Sequence, residues 1–210
     1  TQAKRQLGSS FKPIVYLTAL ENGYTPVSKI LDAPFVIDDY SKDGIWRPTN
    51  YGEKFYGLST LRLGIEKSRN LMTVRLSDSL GLEKIARISQ DLGIYDKFPF
   101  LISSSLGSLE SSLIKITSAY ATLANGGIKV SPIIIDAIYD KNGEFLYKGD
   151  DRKCKNCNIE YINDVDSTLM KNLATPKIKN NNRNVFSKES SYQMTSFLMG
   201  VIERGTAKNI

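Results

Sequence analysis

Apolar residues recur at helical spacing through most of the chain. Phe11, Val15, Leu17, Ala19 and Leu20 form a first periodic run that begins behind Gly8-Ser9-Ser10 and stops at Asn22-Gly23. That pattern predicts a helix with a start signal and a glycine at its C-terminal end. Pro13 falls early enough to sit in the first turn, where little of the hydrogen-bond ladder is lost. Further helices are predicted at about 58–67, from behind Ser68-Arg69-Asn70 to Gly81, and over 83–92 up to Gly93. Leu113, Ile116, Tyr120 and Leu123, preceded by Ser108 and Glu110 and closed by Asn125-Gly126-Gly127, give the clearest helix, buried on one face. Glu110 is expected at an early helical position, as a carboxylate favourable to the helix dipole. A last helix runs from Ser187 through Met194, Leu198 and Val201 to Gly205. Between 24 and 56 the pattern is irregular and rich in Pro, Asp, Gly and aromatics, which predicts a structured loop with short extended pieces. Residues 133–139 and 144–147, joined through Asn142-Gly143, predict a β-hairpin. The polar stretch 148–163 reads as a variable excursion from it, and Asn180-Asn181-Asn182 as part of a second polar loop.

Composition narrows the class. The 210 residues fit one large domain, or one domain with a small appendage, at about 150 residues per domain. With 41% hydrophobic and 24% charged residues the chain can bury a real core. Runs such as Ile133-Ile134-Ile135 fall far short of the roughly 20 apolar residues that span a bilayer, and no charged-then-apolar leader opens the sequence. The chain itself is therefore expected to stay out of the membrane. The net charge of +6 is spread along the chain without a basic tract, which argues against a nucleic-acid partner. There is no histidine, so a Ser-His-Asp enzyme or a histidine-bearing metal site is excluded for this chain alone. Cys154 and Cys157 are at most half of a four-cysteine zinc site, and the expectation is a surface loop with no metal and no part in catalysis.

Ser9-Ser10-Phe11-Lys12 is the first stretch whose residue types and spacing imply a reaction. Positions three apart share a helix face, which puts the Lys12 amine within reach of the Ser9 hydroxyl. The positive end of the helix dipole and partial burial both favour the neutral amine, and a neutral amine is a base that can activate a serine. The same four residues in an arbitrary chain would more often be a capped helix carrying a solvated lysine.

The surrounding sequence changes that balance. Arg5-Gln6-Leu7-Gly8-Ser9-Ser10-Phe11-Lys12-Pro13 resembles the nucleophile motif of the transpeptidase domain in class A, bifunctional penicillin-binding proteins. Ser68-Arg69-Asn70 is similar to the family's Ser-x-Asn motif, in the right order. Three further stretches are collinear matches: Trp46-Arg47-Pro48-Thr49-Asn50-Tyr51; Gly107-Ser108-Leu109-Glu110 leading to Ala119-Tyr120-Ala121 and Asn125-Gly126-Gly127; and Met194-Thr195-Ser196 with Glu203-Arg204-Gly205-Thr206. Leu7 stands where the family usually has proline, and the family's third motif, Lys-Thr-Gly, does not occur in these residues.

The resemblance implies an α+β chain of the penicillin-binding, serine β-lactamase-like fold, here mostly its helical core with a small hairpin and without much of the main sheet. Residues 1–210 would form one partial transpeptidase domain. It further implies Ser9 as nucleophile, Lys12 as base, Ser68 as proton relay and Asn70 as a substrate-binding residue, with no cofactor or metal. The partners would be peptidoglycan stem peptides and β-lactam antibiotics. The setting would be the periplasmic or extracytoplasmic face of the cell membrane, in a parent anchored there and carrying a glycosyltransferase domain. Two other functions use the same nucleophile and base: a sensor that is acylated without turnover, and a serine β-lactamase. A glycosyltransferase domain upstream would separate the enzyme from the sensor, and no carboxylate motif for deacylating water follows Ser68-Arg69-Asn70. Without the edge strand that carries Lys-Thr-Gly in the family, the 210 residues are not expected to be a competent transpeptidase and are expected to be prone to self-association. Arg69 is expected to face solvent; Trp46 and Tyr51 could form a wall of the cleft, but a lone Trp beside Pro is more often loop packing, and neither is counted in the site.

Overall fold

The computed structural model describes residues 2–39, 44–150, 152, 154, 155, 177, 178 and 182–209. Along the chain come β1 (Lys4–Gln6), a 3₁₀ turn (Gly8–Phe11), α1 (Lys12–Glu21), β2 (Lys29–Asp32), β3 (Ile37–Asp39), β4 (Gly44–Trp46) and β5 (Gly57–Thr60). They are followed by α2 (Leu61–Glu66), α3 (Asn70–Leu80), α4 (Leu82–Asp91), a second 3₁₀ turn (Ile102–Leu106), β6 (Glu110–Ser112) and α5 (Leu113–Ala124). Last are β7 (Ala137–Tyr139), β8 (Phe145–Lys148), β9 (Cys154–Lys155), β10 (Lys177–Ile178) and α6 (Lys188–Glu203). The chain divides into two compact units, Thr1–Val130 with Asn184–Ile210, and Ser131–Arg183.

In the first unit the buried core is built around α1. Every residue from Lys12 to Leu20 is buried, and a helix apolar on nearly all sides has to be covered on all sides. α3, α4 and α6 pack against it. Phe11, just ahead of α1, lies within ring contact of Tyr95 and Phe98, with centroids 5.6 and 6.0 Å away. Burying each large apolar side chain contributes about 1.5–3 kcal/mol, so the Phe11 to Leu20 stretch is the main hydrophobic anchor of the unit. Pro13 occupies the first turn as expected, and Gly23, at φ +87°, releases the chain beyond the C-terminus. α3 turns into α4 through Gly81, another left-handed glycine at φ +83°. α6 is capped by the Ser187 hydroxyl, which accepts from Ser190 N–H at 3.1 Å and donates to Glu21 Oε1 at 2.6 Å, tying the start of α6 to the end of α1.

Among the described residues the sheets are all two-stranded and antiparallel. Two of them correct the helix boundaries read from the sequence. Residues 57–60 are not the start of a helix: they form β5, paired with β2 from Lys29↔Thr60 to Asp32↔Gly57, and α2 begins only after Thr60, whose hydroxyl accepts from Leu63 N–H. The apolar Leu58 reads equally well as helix or strand, and the extended partner over 29–32 decides for strand. Glu110 likewise lies in β6, opposite Gln6 of β1, and not in the first turn of α5. The polar run before Gly8 gave no strand signal, and its pairing with Ser111 and Ser112 is fixed by the backbone ladder.

In the second unit, β7 and β8 form the expected hairpin. Its turn is held by the Asp140 carboxylate, which accepts from the N–H groups of Asn142 and Glu144 at 2.8 Å each. The Tyr139 and Phe145 rings face each other across the ladder at 4.5 Å. β9 and β10 pair as Lys177↔Lys155 and Ile178↔Cys154. Cys157, most of the expected 148–163 excursion and Asn180-Asn181 lie outside the described residues.

The link between the two 3₁₀ turns generates a test. Gly107 has φ +76°, and a Cβ there would run into the backbone of Gly8, whose N–H donates to the Gly107 carbonyl at 2.9 Å. Gly107→Ala is therefore expected to lower the unfolding free energy by about 2 kcal/mol or more, combining left-handed strain with a backbone collision. Denaturant unfolding of the variant beside Gly126→Ala, where a Cβ would meet only Lys188 Cγ, at an ordinary van der Waals distance of 3.9 Å, checks it. Equal losses at the two glycines would show that the approach to Gly8 is not what costs stability.

Candidate active site

The turn that leads into α1 is pinned from below. Leu7 N–H donates to Leu109 O and Gly8 N–H to Gly107 O, at 3.4 and 2.9 Å. The Ser10 hydroxyl folds back onto Leu7 O at 2.6 Å, while Tyr120 OH donates to Ser10 O at 2.9 Å. Burial pushes the Tyr120 phenol up to about 12, which keeps that donor protonated. Ser9 stands exposed on this turn, and its hydroxyl has no hydrogen-bond partner among the described residues. The Ser9 N–H, at the open end of the turn, has no backbone partner among them either.

Three residues on, the Lys12 side chain turns inward. It is 1% exposed, among the largest fully buried side chains of the chain. Its ammonium has three protons to donate, and three neutral acceptors meet it: Ser68 O at 2.7 Å, Ser68 Oγ at 3.0 Å and Asn70 Oδ1 at 2.6 Å. None of the ion pairs among the described residues involves it. Desolvation with no counter-charge lowers its pKa to about 8.

The acceptors come from the short link between α2 and α3. Ser68 sits at φ +51°, an unfavourable left-handed conformation for a residue with a side chain. The N–H groups of Ser68 and Arg69 return to Ile65 O and Gly64 O at 3.0 and 2.9 Å, which holds the turn. Ser68 and Asn70 then face Lys12, while Arg69 between them points the other way. Asn70, the first residue of α3, also donates through Nδ2 to Thr49 O at 2.8 Å, which fixes its amide with the oxygen toward the amine.

Four residues were thus proposed from sequence and three of them converge: Lys12, Ser68 and Asn70 form one hydrogen-bonded cluster. Ser9 is their neighbour in the chain, but the amine does not bond its hydroxyl, because its donors are taken by the Ser68 and Asn70 oxygens. Arg69 is a correction. It is not solvent-facing: its guanidinium donates to the buried Asp32 carboxylate at 2.8 Å and lies over the Tyr56 ring, 3.2 Å from the centroid. Asp32 and Asn50 were missed. Asn50 Nδ2 donates to Asp32 Oδ1 at 2.7 Å, and Asn50 Oδ1 accepts from the N–H groups of Asn70 and Leu71 at 2.8 and 3.2 Å. Asn50 lay within the matched stretch 46–51, so a signal existed; Asp32 closes a strand that the sequence left as loop.

The family model described as the penicillin binding protein transpeptidase domain matches residues 1–210. Penicillin-binding protein 1A of Rickettsia bellii is 44% identical over 207 residues, covering 99% of this chain and 25% of that protein. The chain thus spans about a quarter of the length of the curated relatives it matches. Among solved structures, penicillin-binding protein 1A from Haemophilus influenzae superposes with a TM-score of 0.78 at 27% identity, over 99% of this chain and 32% of its own. The penicillin G acyl-enzyme complex of penicillin-binding protein A from Mycobacterium tuberculosis shares the fold, with a TM-score of 0.69 at 18% identity over 95% of this chain and 44% of its own. On the match along its whole length, this chain belongs to the penicillin-binding protein transpeptidase domain family.

Proposed function

We propose that this chain carries the acyl-transfer site of a serine-type peptidoglycan transpeptidase, with Ser9 as nucleophile. The observation that carries the reading is the buried Lys12 amine, held by neutral acceptors on Ser68 and Asn70 and three residues from an exposed, unpartnered serine. In the neutral state the amine keeps two donors and gains a lone pair, so it can take the Ser9 proton while staying bonded to Asn70 and to the Ser68 carbonyl. The Ser9 oxygen then bonds to the carbonyl carbon of the penultimate D-alanine of a pentapeptide stem. The amide bond to the terminal D-alanine breaks, and its nitrogen receives the proton passed from Lys12 through the Ser68 hydroxyl. An amine of a second stem attacks the ester, surrenders a proton along the reverse route, and leaves a cross-linked amide and free Ser9. The unpaired Ser9 N–H at the open turn is suited to the oxyanion of both steps. A β-lactam enters the same first step, its ring amide taking the place of the bond to the terminal D-alanine.

On this reading the site works on the extracytoplasmic side of the cell membrane, where its substrate lies, in a protein that also has glycosyltransferase activity. None of the helices among the described residues is long and apolar enough to cross a membrane.

Labelling of the intact protein with a fluorescent penicillin, followed by peptide mapping, is expected to place the adduct on Ser9 and to fail in Ser9→Ala. An adduct on Ser10 or Ser68, or label surviving in Ser9→Ala, would refute the nucleophile. Lys12→Arg keeps the charge but cannot become neutral, and acylation is expected to drop at least about a hundredfold; a folded variant with near-normal acylation would remove Lys12 from the role of base. The pH dependence carries a sign. The base is the unprotonated amine, so acylation is expected to rise with pH up to about 8 and level off above it. Stopped-flow acylation from pH 6 to 9.5 tests this, and a rate that falls across that range would exclude a neutral-amine base.

A further inference from the structure

α3 has a cap problem that its own sequence does not solve. Its flanking residue, Arg69, offers no side-chain bond to the helix N-terminus, yet the first N–H groups of a helix need acceptors when buried. Asn50 supplies one from another part of the chain. It is 5% exposed, and all its polar capacity is directed: Oδ1 accepts from Asn70 and Leu71 N–H, and Nδ2 donates to Asp32 Oδ1 and to Lys54 O, the last at 2.9 Å. An amide can bind in two orientations, and only the one with oxygen toward α3 caps the helix. Asp32 chooses it. Asp32 is fully buried at the end of β2, its carboxylate accepts and cannot donate, and its second oxygen holds Arg69 at 2.8 Å. Asp32 thus grips the α2–α3 link twice, directly at Arg69 and through Asn50 at Asn70, on the side opposite Lys12.

We propose that Asp32 and Asn50 are positioning residues of the acyl-transfer site: through the cap on α3 and the pair with Arg69 they hold Ser68 Oγ and Asn70 Oδ1 at bonding distance from the Lys12 amine. The inference rests on the reading of Ser9, Lys12, Ser68 and Asn70 given under Proposed function. Neither residue reaches the amine; each acts through the link that does. Because Ser68 is held at positive φ, that link relaxes when its outer grip is lost, and misplacing a relay group by about 1 Å can cost on the order of a hundredfold in rate.

The test is the time course of fluorescent-penicillin acylation in the intact protein at several penicillin concentrations, which separates the dissociation constant of the first complex, the acylation rate constant and the final amplitude. For Asn50→Ala and for the near-isosteric Asp32→Asn, the rate constant is expected to fall about tenfold or more, with the dissociation constant changed by less than about twofold. The double variant is expected to lose less than the product of the two single losses, since the residues act through one cap. The rate constant is read on whatever fraction folds, so reduced stability alone lowers amplitude and leaves it unchanged. A normal rate constant in both variants, with full or reduced amplitude, overturns the inference while the wild type still labels on Ser9. Multiplicative losses would overturn the coupling through Asn50. Wild-type label away from Ser9 would overturn the underlying reading, and this inference with it.

Discussion

A buried amine without a counter-ion is the constraint on which the rest of the site depends. A carboxylate beside Lys12 would stabilise the ammonium, hold its pKa up and leave an unreactive structural cation. The chain supplies oxygens of a hydroxyl, a side-chain amide and the main chain instead. These satisfy the donors in either protonation state and charge neither. The nearest carboxylate in the same network, Asp32, is kept one layer away and given to Arg69. Opposite charges are thus sorted: Asp32 and Arg69 pair with each other, and the amine is left without a counter-charge among neutral oxygens.

That sorting explains why the backbone around the site is strained where it is. Ser68 must direct both its carbonyl and its hydroxyl to one nitrogen, and a left-handed φ of +51° brings them to the same side. Strain of this kind persists only where neighbours over-determine it, and here they do, through Gly64 O, Ile65 O, Asn50 and Asp32.

The sequence revealed what depends on local periodicity and on collinear motifs. α1, α3, α4, α5, α6 and the β7–β8 turn were legible because each combines an apolar repeat with a glycine or serine at its end. β1, β2, β5 and β6 were not, since three- and four-residue strands have too few positions to show alternation and exist through partners distant in the chain. Ser9, Lys12, Ser68 and Asn70 were visible as motif residues. Arg69 was misread because a cation between two site residues looks solvated until a buried acid is known, and Asp32 was invisible because nothing around it in sequence marks a buried carboxylate.

The turn bearing Ser9 has a consequence for how the molecule comes into being. Its lower edge is fastened by Gly107 and Leu109, its upper carbonyl by Tyr120, and the Lys12 amine by the link at residues 68–70. These fastenings close loops that run from 58 residues at Asn70 to 110 at Tyr120, and such closures cost entropy before they return any contact energy. During synthesis Ser9 and Lys12 leave the ribosome before the segments at 68–70, 107–109 and 120 that shape their surroundings. A nascent chain that has not yet reached Tyr120 already holds Ser9 and Lys12 but lacks the contacts that fix the turn bearing them.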